Sequence, residues 1–185
     1  MGIKTLNDLN GNIVIDLQPV LKGKLIELRP LRADEFEVLH AAASDPLIWE
    51  QHPSPLRYQR EVFQKFFDDA IASKGALVVI DNQSGRIIGS SRYYSYKPEK
   101  KEIVIGYTFL TREFWGGNYN AELKSLMLNH IFQFVESVLF EVGEKNLRSR
   151  RAMEKIGATF LGKVGDDHVA YKITKGVPSI GNLLN

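Results

Sequence analysis

Three short apolar stretches with turn residues between them constrain this chain more than anything else in it. Ala76–Asp81 reads ALVVID, Arg86–Tyr96 reads RIIGSSRYYSY and Glu102–Leu110 reads EIVIGYTFL. Asn82-Gln83-Ser84-Gly85 separates the first pair, and Lys97-Pro98-Glu99-Lys100 lies between the second and third. β-Branched and aromatic residues at this density suit strands. Connections this short join only antiparallel neighbours. The spacing predicts an antiparallel meander, whose two faces need helices to cover them.

The flanks supply those helices. Val62, Phe63, Phe66, Phe67 and Ala70 form one stripe along Arg60–Ser73. Leu123, Leu126, Met127, His130, Ile131, Phe134 and Val135 recur at three and four residues, a second and longer helix. Lys24–Leu31 alternates as a strand, then Phe36, Leu39, His40 and Ala43 follow at helical spacing until Asp45-Pro46 stops them. Leu47–Gln59, with Pro53 and Pro55, reads as an ordered loop or broken helix. Ser137–Gly143 is a further strand. Asn146 is placed as the N-cap of a helix that Gly157 ends. ATFLGKV and HVAYKIT pair around Gly165-Asp166-Asp167. The order β-α-α-β-β-β-α-β-α-β-β is α+β. We expect one domain over 24–175, preceded by an arm at 1–23 with a short strand at Ile13–Leu17. A tail at 176–185 follows, apolar enough to hint at a homodimer.

Composition excludes several functions. The chain has no cysteine, so disulfides, thiolate metal sites and a cysteine nucleophile are out. Its net charge of +2 gives no argument for nucleic acid. No apolar run approaches bilayer length and no leader pattern opens the chain, so a membrane role is not expected and the cytoplasm is. No His and carboxylate cluster has metal spacing, and no metal is expected.

Between the third strand and the long helix stands Gly116-Gly117-Asn118-Tyr119-Asn120-Ala121. A strand that turns sharply into a helix leaves its first N–H groups without partners. Those groups and the helix dipole attract an anion, and glycines let it approach the backbone. The junction reads as a pyrophosphate cradle or as a plain turn with a cap. The next helix carries Arg148, Arg150 and Arg151 near its start, where the dipole disfavours cations. The arginines read as a solvated basic face or, given that frustration, as the site of an anionic partner.

IGYTFL followed by WGGNYNAEL, then NLRSRRAMEKIGA, with LRPLRADEF near the start, together resemble the GCN5-related N-acetyltransferase (GNAT) superfamily. The branch they resemble most contains the ribosomal-protein N-terminal acetyltransferases. The resemblance spans about residues 24–174 and implies a mixed, mostly antiparallel sheet flanked by helices. It implies acetyl-CoA as co-substrate, in a splay between the parallel strands Glu102–Leu110 and Ser137–Gly143. Pantetheine would meet the backbone at Phe109 and Leu110 and the side chain of Asn146. Pyrophosphate would sit on the amides of Gly116, Gly117, Asn118, Tyr119, Asn120 and Ala121, with Arg150 near the nucleotide. The sequence departs from the family at Asn118 and Asn120, where small residues are usual. It departs at Val104, in place of a glutamate, and at Met153, in place of a tyrosine that acts as general acid.

The implied activity is acetyl transfer to a primary amine, a small molecule or a protein N-terminus. The alternative is an acyl-CoA-binding module with little catalysis, and a third reading is an unrelated nucleotide-binding domain. An amine must lose its proton to attack a thioester, and the oxyanion needs donors. A backbone N–H near Phe109 is the candidate donor. Ser149 is the candidate acid for the leaving thiolate, or a serine bonding within its own first helical turn. Glu102 is a candidate base, or a rim charge; His168 is another, or a capping residue. His130 reads as a core histidine. Trp49 and His52 lie in the loop where such relatives bind the acceptor, or plug the core there. Tyr94, with Tyr93 and Tyr96, lines an acceptor channel or simply packs.

Overall fold

The computed structural model describes residues 15–176. The three stretches are the middle of one eight-stranded sheet. Its strands are β1 (Leu21–Lys22), β2 (Ile26–Pro30), β3 (Ala76–Asp81), β4 (Ile87–Lys97), β5 (Glu102–Leu110), β6 (Ser137–Gly143), β7 (Thr159–Val164) and β8 (His168–Thr174). They lie in the order β1-β2-β3-β4-β5-β6-β8-β7. Only β5 and β6 run parallel, because a helix intervenes between them; the other pairs are antiparallel. The helices are α1 (Phe36–Ala43), α2 (Arg60–Ser73), α3 (Tyr119–Ile131) and α4 (Leu147–Lys155).

Strand alternation sorts the core into two clusters. Leu77 and Val79 of β3 join Leu123, Met127 and Leu128 of α3 and Met153 and Ile156 near α4. Ala76 and Val78 join Leu39 of α1, Trp49 of the following loop, and Phe63, Phe66 and Phe67 of α2. Successive strand residues face opposite ways, so one central strand serves both layers. The mixed α+β sheet flanked by helices is the fold that the sequence predicts.

Several details differ. The strand expected at Ile13–Leu17 is absent over Ile15–Leu17, and residues 13 and 14 lie outside the described residues. The sheet instead takes Leu21 and Lys22 from the arm, opposite Leu28 and Glu27. Val62 is 38% exposed and does not share the α2 stripe. The α3 stripe continues to Val135, but the helix ends at Ile131 in tight turns at Phe134 and Val135. Most of the tail lies outside the described residues. No helix among those described is long and apolar enough to cross a membrane.

Candidate active site

β5 and β6 pair only at Glu102–Ser137, Ile103–Val138 and Val104–Leu139. Beyond that point β5 stays on β4 and β6 stays on β8, so the two strands part as a fork. β5 is bulged where they part. Gly106 and Phe109 lie opposite Arg92 and Ser90, one residue more on β5 than on β4. Tyr107 takes φ 53 inside the bulge. A bulge bends its strand and leaves one residue out of the ladder, so a backbone amide near Tyr107 is released.

Past β5 the chain reaches Gly116, whose φ of 76 favours glycine. A Cβ at Gly116 or Gly117 would meet no protein atom within 4 Å. The backbone there faces open space. Asn118 stands at the N-cap in the right-handed region (φ −85), and its side chain makes no cap bond. The helix behind it has 13 residues, with first-turn amides free to meet an anion. These residues fit a pyrophosphate, and Asn118 needs no left-handed conformation. Asn120 and Ala121 are half-buried in the first turn. Tyr119 is turned away, its hydroxyl donating to Asp81 at 3.0 Å. The Leu110 carbonyl accepts from the Trp115 indole at 2.9 Å, and the Phe109 ring is buried in the second cluster.

α4 begins beside the fork. The Asn146 side chain accepts from the Ser149 amide at 3.0 Å, as a cap should. The Ser149 side chain makes no hydrogen bond among the described residues. Met153 is buried in the main core, where no group can donate a proton to solvent or ligand. Arg150 does not turn to the glycine junction. It donates to the Tyr171 hydroxyl at 3.1 Å and the Glu144 carbonyl at 3.2 Å. Arg148 stands there instead, 3.9 Å from the Trp115 ring centroid, and donates to the Ile48 carbonyl at 2.9 Å.

A cavity of about 340 Å³ opens against the bulge, lined among others by His52, Arg57, Tyr94, Tyr107, Glu141 and His168. Gly106 is what lets Tyr94 lie there: a Cβ would stand 2.9 Å from its ring. Burial, then Arg57 and His168, push His52 down to about 3, so it is neutral near pH 7. His168 bonds Asp167 at 2.6 Å. Two expected site residues stand elsewhere. Trp49 is 2% exposed, packs 5.2 Å from the Phe109 ring and donates to the Ala43 carbonyl at 2.8 Å; it is a core plug behind the cavity. Glu102 sits at the closed end of the fork, accepting from Lys172 at 3.1 Å and Ser137 at 3.2 Å. Burial opposes its charge, but those partners hold its pKa below the ordinary value. Tyr93 is buried with its hydroxyl on the Met127 carbonyl at 2.7 Å, and His130 holds the Asp16 carbonyl at 2.8 Å.

Among the residues of the site that the sequence does not single out are Glu141 and Lys124. Glu141 occupies the outward position of an alternating strand, which reads as an ordinary surface charge. Lys124 falls within the buried surface of α3 at 3% exposure, although lysine suggests solvent. Its amine donates to the Thr108 hydroxyl at 2.7 Å and lies 5.4 Å from the Phe140 ring, spanning β5 and β6 beyond their last pair. Burial pushes it down to about 7.

The sequence matches the Acetyltransferase (GNAT) domain family over residues 26–159, and the chain belongs to that family of acetyltransferases. Solved relatives share the fold. A GCN5-related N-acetyltransferase from Brucella melitensis is 22% identical over 85% of this chain and 79% of its own, with TM-score 0.72. RimJ from Mycobacterium smegmatis, solved with CoA-disulfide, is 17% identical over 81% and 82%, with TM-score 0.61. The Microcin C7 self immunity acetyltransferase MccE, solved with acetyl-CoA and AMP, is 13% identical over 86% and 98%, with TM-score 0.68. No curated protein sequence matches the chain.

Proposed function

We propose that the protein moves an acetyl group from acetyl-CoA to a primary amine by direct attack on the thioester. The observation that carries this reading is the β5–β6 fork, with the open glycine junction past one end of β5 and the cavity against its bulge. A small-molecule amine and a protein N-terminus both satisfy the chemistry. The LRPLRADEF stretch favours the branch with ribosomal-protein acetyltransferases.

Acetyl-CoA, when bound, supplies an acetyl group activated as a thioester. The amides of Gly116–Ala121 would hold its pyrophosphate. Asn146 and the backbone at Phe109 and Leu110 would hold the pantetheine arm. The amide released at the bulge donates to negative charge developing on the acetyl oxygen. Glu141 is the carboxylate placed to receive the proton of the acceptor ammonium, directly or through water. The Ser149 hydroxyl donates to the departing thiolate. Glu102 ties the closed end of the fork together through Ser137 of β6 and Lys172 of β8.

Val104 and the buried Met153 favour a second reading, an acyl-CoA-binding module with little turnover. One experiment separates them. Thermal unfolding is followed with acetyl-CoA, ATP and NAD, beside release of free thiol from acetyl-CoA with a panel of amines. A ligand at about 100 times its Kd adds roughly 2.7 kcal/mol, a shift of several degrees. A shift with acetyl-CoA together with thiol release is the expected result. A shift without release for any amine leaves the binding module. No shift with acetyl-CoA removes both.

A further inference from the structure

Two arginines at the cavity and behind its Tyr107 wall have no ion-pair partner among the described residues. Arg57 lines the cavity, its guanidinium 5.2 Å from the Trp49 ring and 4.8 Å from the Phe66 ring. Arg92 stands 5.6 Å from the same Phe66 ring and 4.1 Å from the ring of Tyr107, which lines the cavity. Among the described residues neither arginine makes a salt bridge. The carboxylate that acts on Arg92, Asp69, lies beyond ion-pair distance and is itself paired with Lys65 at 3.8 Å. Two other partly buried arginines have carboxylates: Arg29 meets Glu35 at 2.5 Å, and Arg148 meets Glu50 at 3.5 Å; Arg150 is instead satisfied by the Tyr171 hydroxyl and the Glu144 carbonyl.

The local hydrogen bonds do not make up the difference. Arg92 is 5% exposed, and its Nε is the one buried side-chain nitrogen or oxygen among the described residues without a partner. Arg57 approaches His52 Nε2 at 3.2 Å, but His52 Nδ1 accepts from the Ser54 amide at 2.8 Å. A neutral imidazole that accepts at Nδ1 carries its proton at Nε2, and so cannot accept there as well. Stacking on aromatic rings offsets part of the cost of these cations, and Arg92 Nη2 donates to the Phe66 carbonyl at 3.3 Å, but Arg92 Nε is left without an acceptor. Lys124, also buried without a carboxylate, can shed its proton. A guanidinium keeps its charge.

The cavity's one carboxylate, Glu141, lines it together with Arg57. We propose that the acceptor is a small amine bearing its own carboxylate, an amino acid, whose carboxylate pairs with Arg57 under the field of Arg92 while Glu141 faces its amine. This rests on the acetyl-transfer reading of the same site. A guanidinium takes a carboxylate in two parallel bonds, which fixes orientation as well as charge. The cavity volume suits a single amino acid better than a folded partner, although a protein N-terminus would bring an amine without the carboxylate.

The test compares amino acids with their own carboxamides, in turnover by thiol release and in binding by calorimetry with CoA present. Wild-type protein and the variants Arg57→Ala and Arg57→Lys are measured alike. The acid is expected to exceed its carboxamide in kcat/KM by on the order of 10- to 100-fold, the range of a charge-assisted hydrogen bond. Arg57→Ala should erase that preference mainly through KM, and Arg57→Lys should restore part of it. An acetyl-CoA thermal shift in each variant shows that the fold and the glycine junction survive. Equal use of acids and carboxamides overturns the anion site and leaves the acetyl-transfer reading standing. Amino acids bound in an Arg57-dependent way without turnover keep the anion site and overturn the catalytic reading. Neither binding nor turnover of any amino acid overturns the proposal outright.

Discussion

A lysine with no carboxylate beside it makes its own titration a probe of the fold. Lys124 titrates at about 7 in the folded protein, against an ordinary value of about 10.4. Between those values the unfolded chain binds a proton that the folded chain does not. Stability therefore climbs with pH across that window and is flat in this contribution below it. Lys124→Met should remove the climb and stabilise the fold at about pH 6 by roughly 1–4 kcal/mol, as replacing buried charge by apolar volume does. Urea unfolding at about pH 6 and about pH 9 measures both; a variant weaker at the lower pH sinks the idea. Glu141 is tested through rate instead. Glu141→Gln keeps the shape and loses the base, so kcat should fall by on the order of 10²–10⁴ while the acetyl-CoA thermal shift persists. Neither residue was legible in the sequence. The alternation of SVLFEVG marks Glu141 as outward without saying that a cavity waits there. Nothing local tells a lysine on α3 that both strands of the fork lie over it. Glu102 misled for the same reason: its strand was right, but three paired residues at the closed end of the fork were not visible.

Elements were far more legible, because periodicity and turn chemistry are local. The bounds Arg60–Ser73, Ala76–Asp81, Glu102–Leu110 and Ser137–Gly143 are those the patterns predict. The glycine junction was legible too, in kind: open backbone before a strong helix. Its test is electrostatic. Gly117 faces open space, so Gly117→Asp should change the stability of the free protein by less than about 0.5 kcal/mol. The added carboxylate would repel a pyrophosphate and shrink the acetyl-CoA thermal shift. An undiminished shift would place the cofactor's charge elsewhere. Steric contact limits the neighbouring element. At Gly106 a Cβ would stand 2.9 Å from the Tyr94 ring, so Gly106→Ala should cost about 1–3 kcal/mol of stability and raise the KM for the amine. Contacts between distant elements were not legible. Trp49 looked like an acceptor residue because an aromatic loop residue reads alike whether it lines a cavity or plugs a core. Arg57 and Arg92 carry no local signal, since only the folded chain sets both against Phe66.

At the scale of the whole molecule, one sheet is held closed at one place and parted at another. Hydrogen exchange separates the two. Acetyl-CoA is expected to slow exchange at Ile105–Leu110 and Gly116–Ala121, while β2 and β3, paired along their length, change little. A uniform slowing across the sheet would mean that binding acts through global stability and not at the fork. The bulge that helps to part the strands has a consequence for counting. Ile103 and Ile105 belong to the α3 core, and so does Leu110, while Phe109 belongs to the other. Odd positions face one way before the bulge, and even positions face that way after it. The extra residue works as a parity switch inside β5. Removing any single residue between Gly106 and Thr108 would take out the bulge and leave Phe109 and Leu110 on their present faces, because the shortened strand alternates without interruption. Substitution can alter this strand by degrees, whereas a change of one in its length that leaves the bulge in place would exchange the addresses of its two ends.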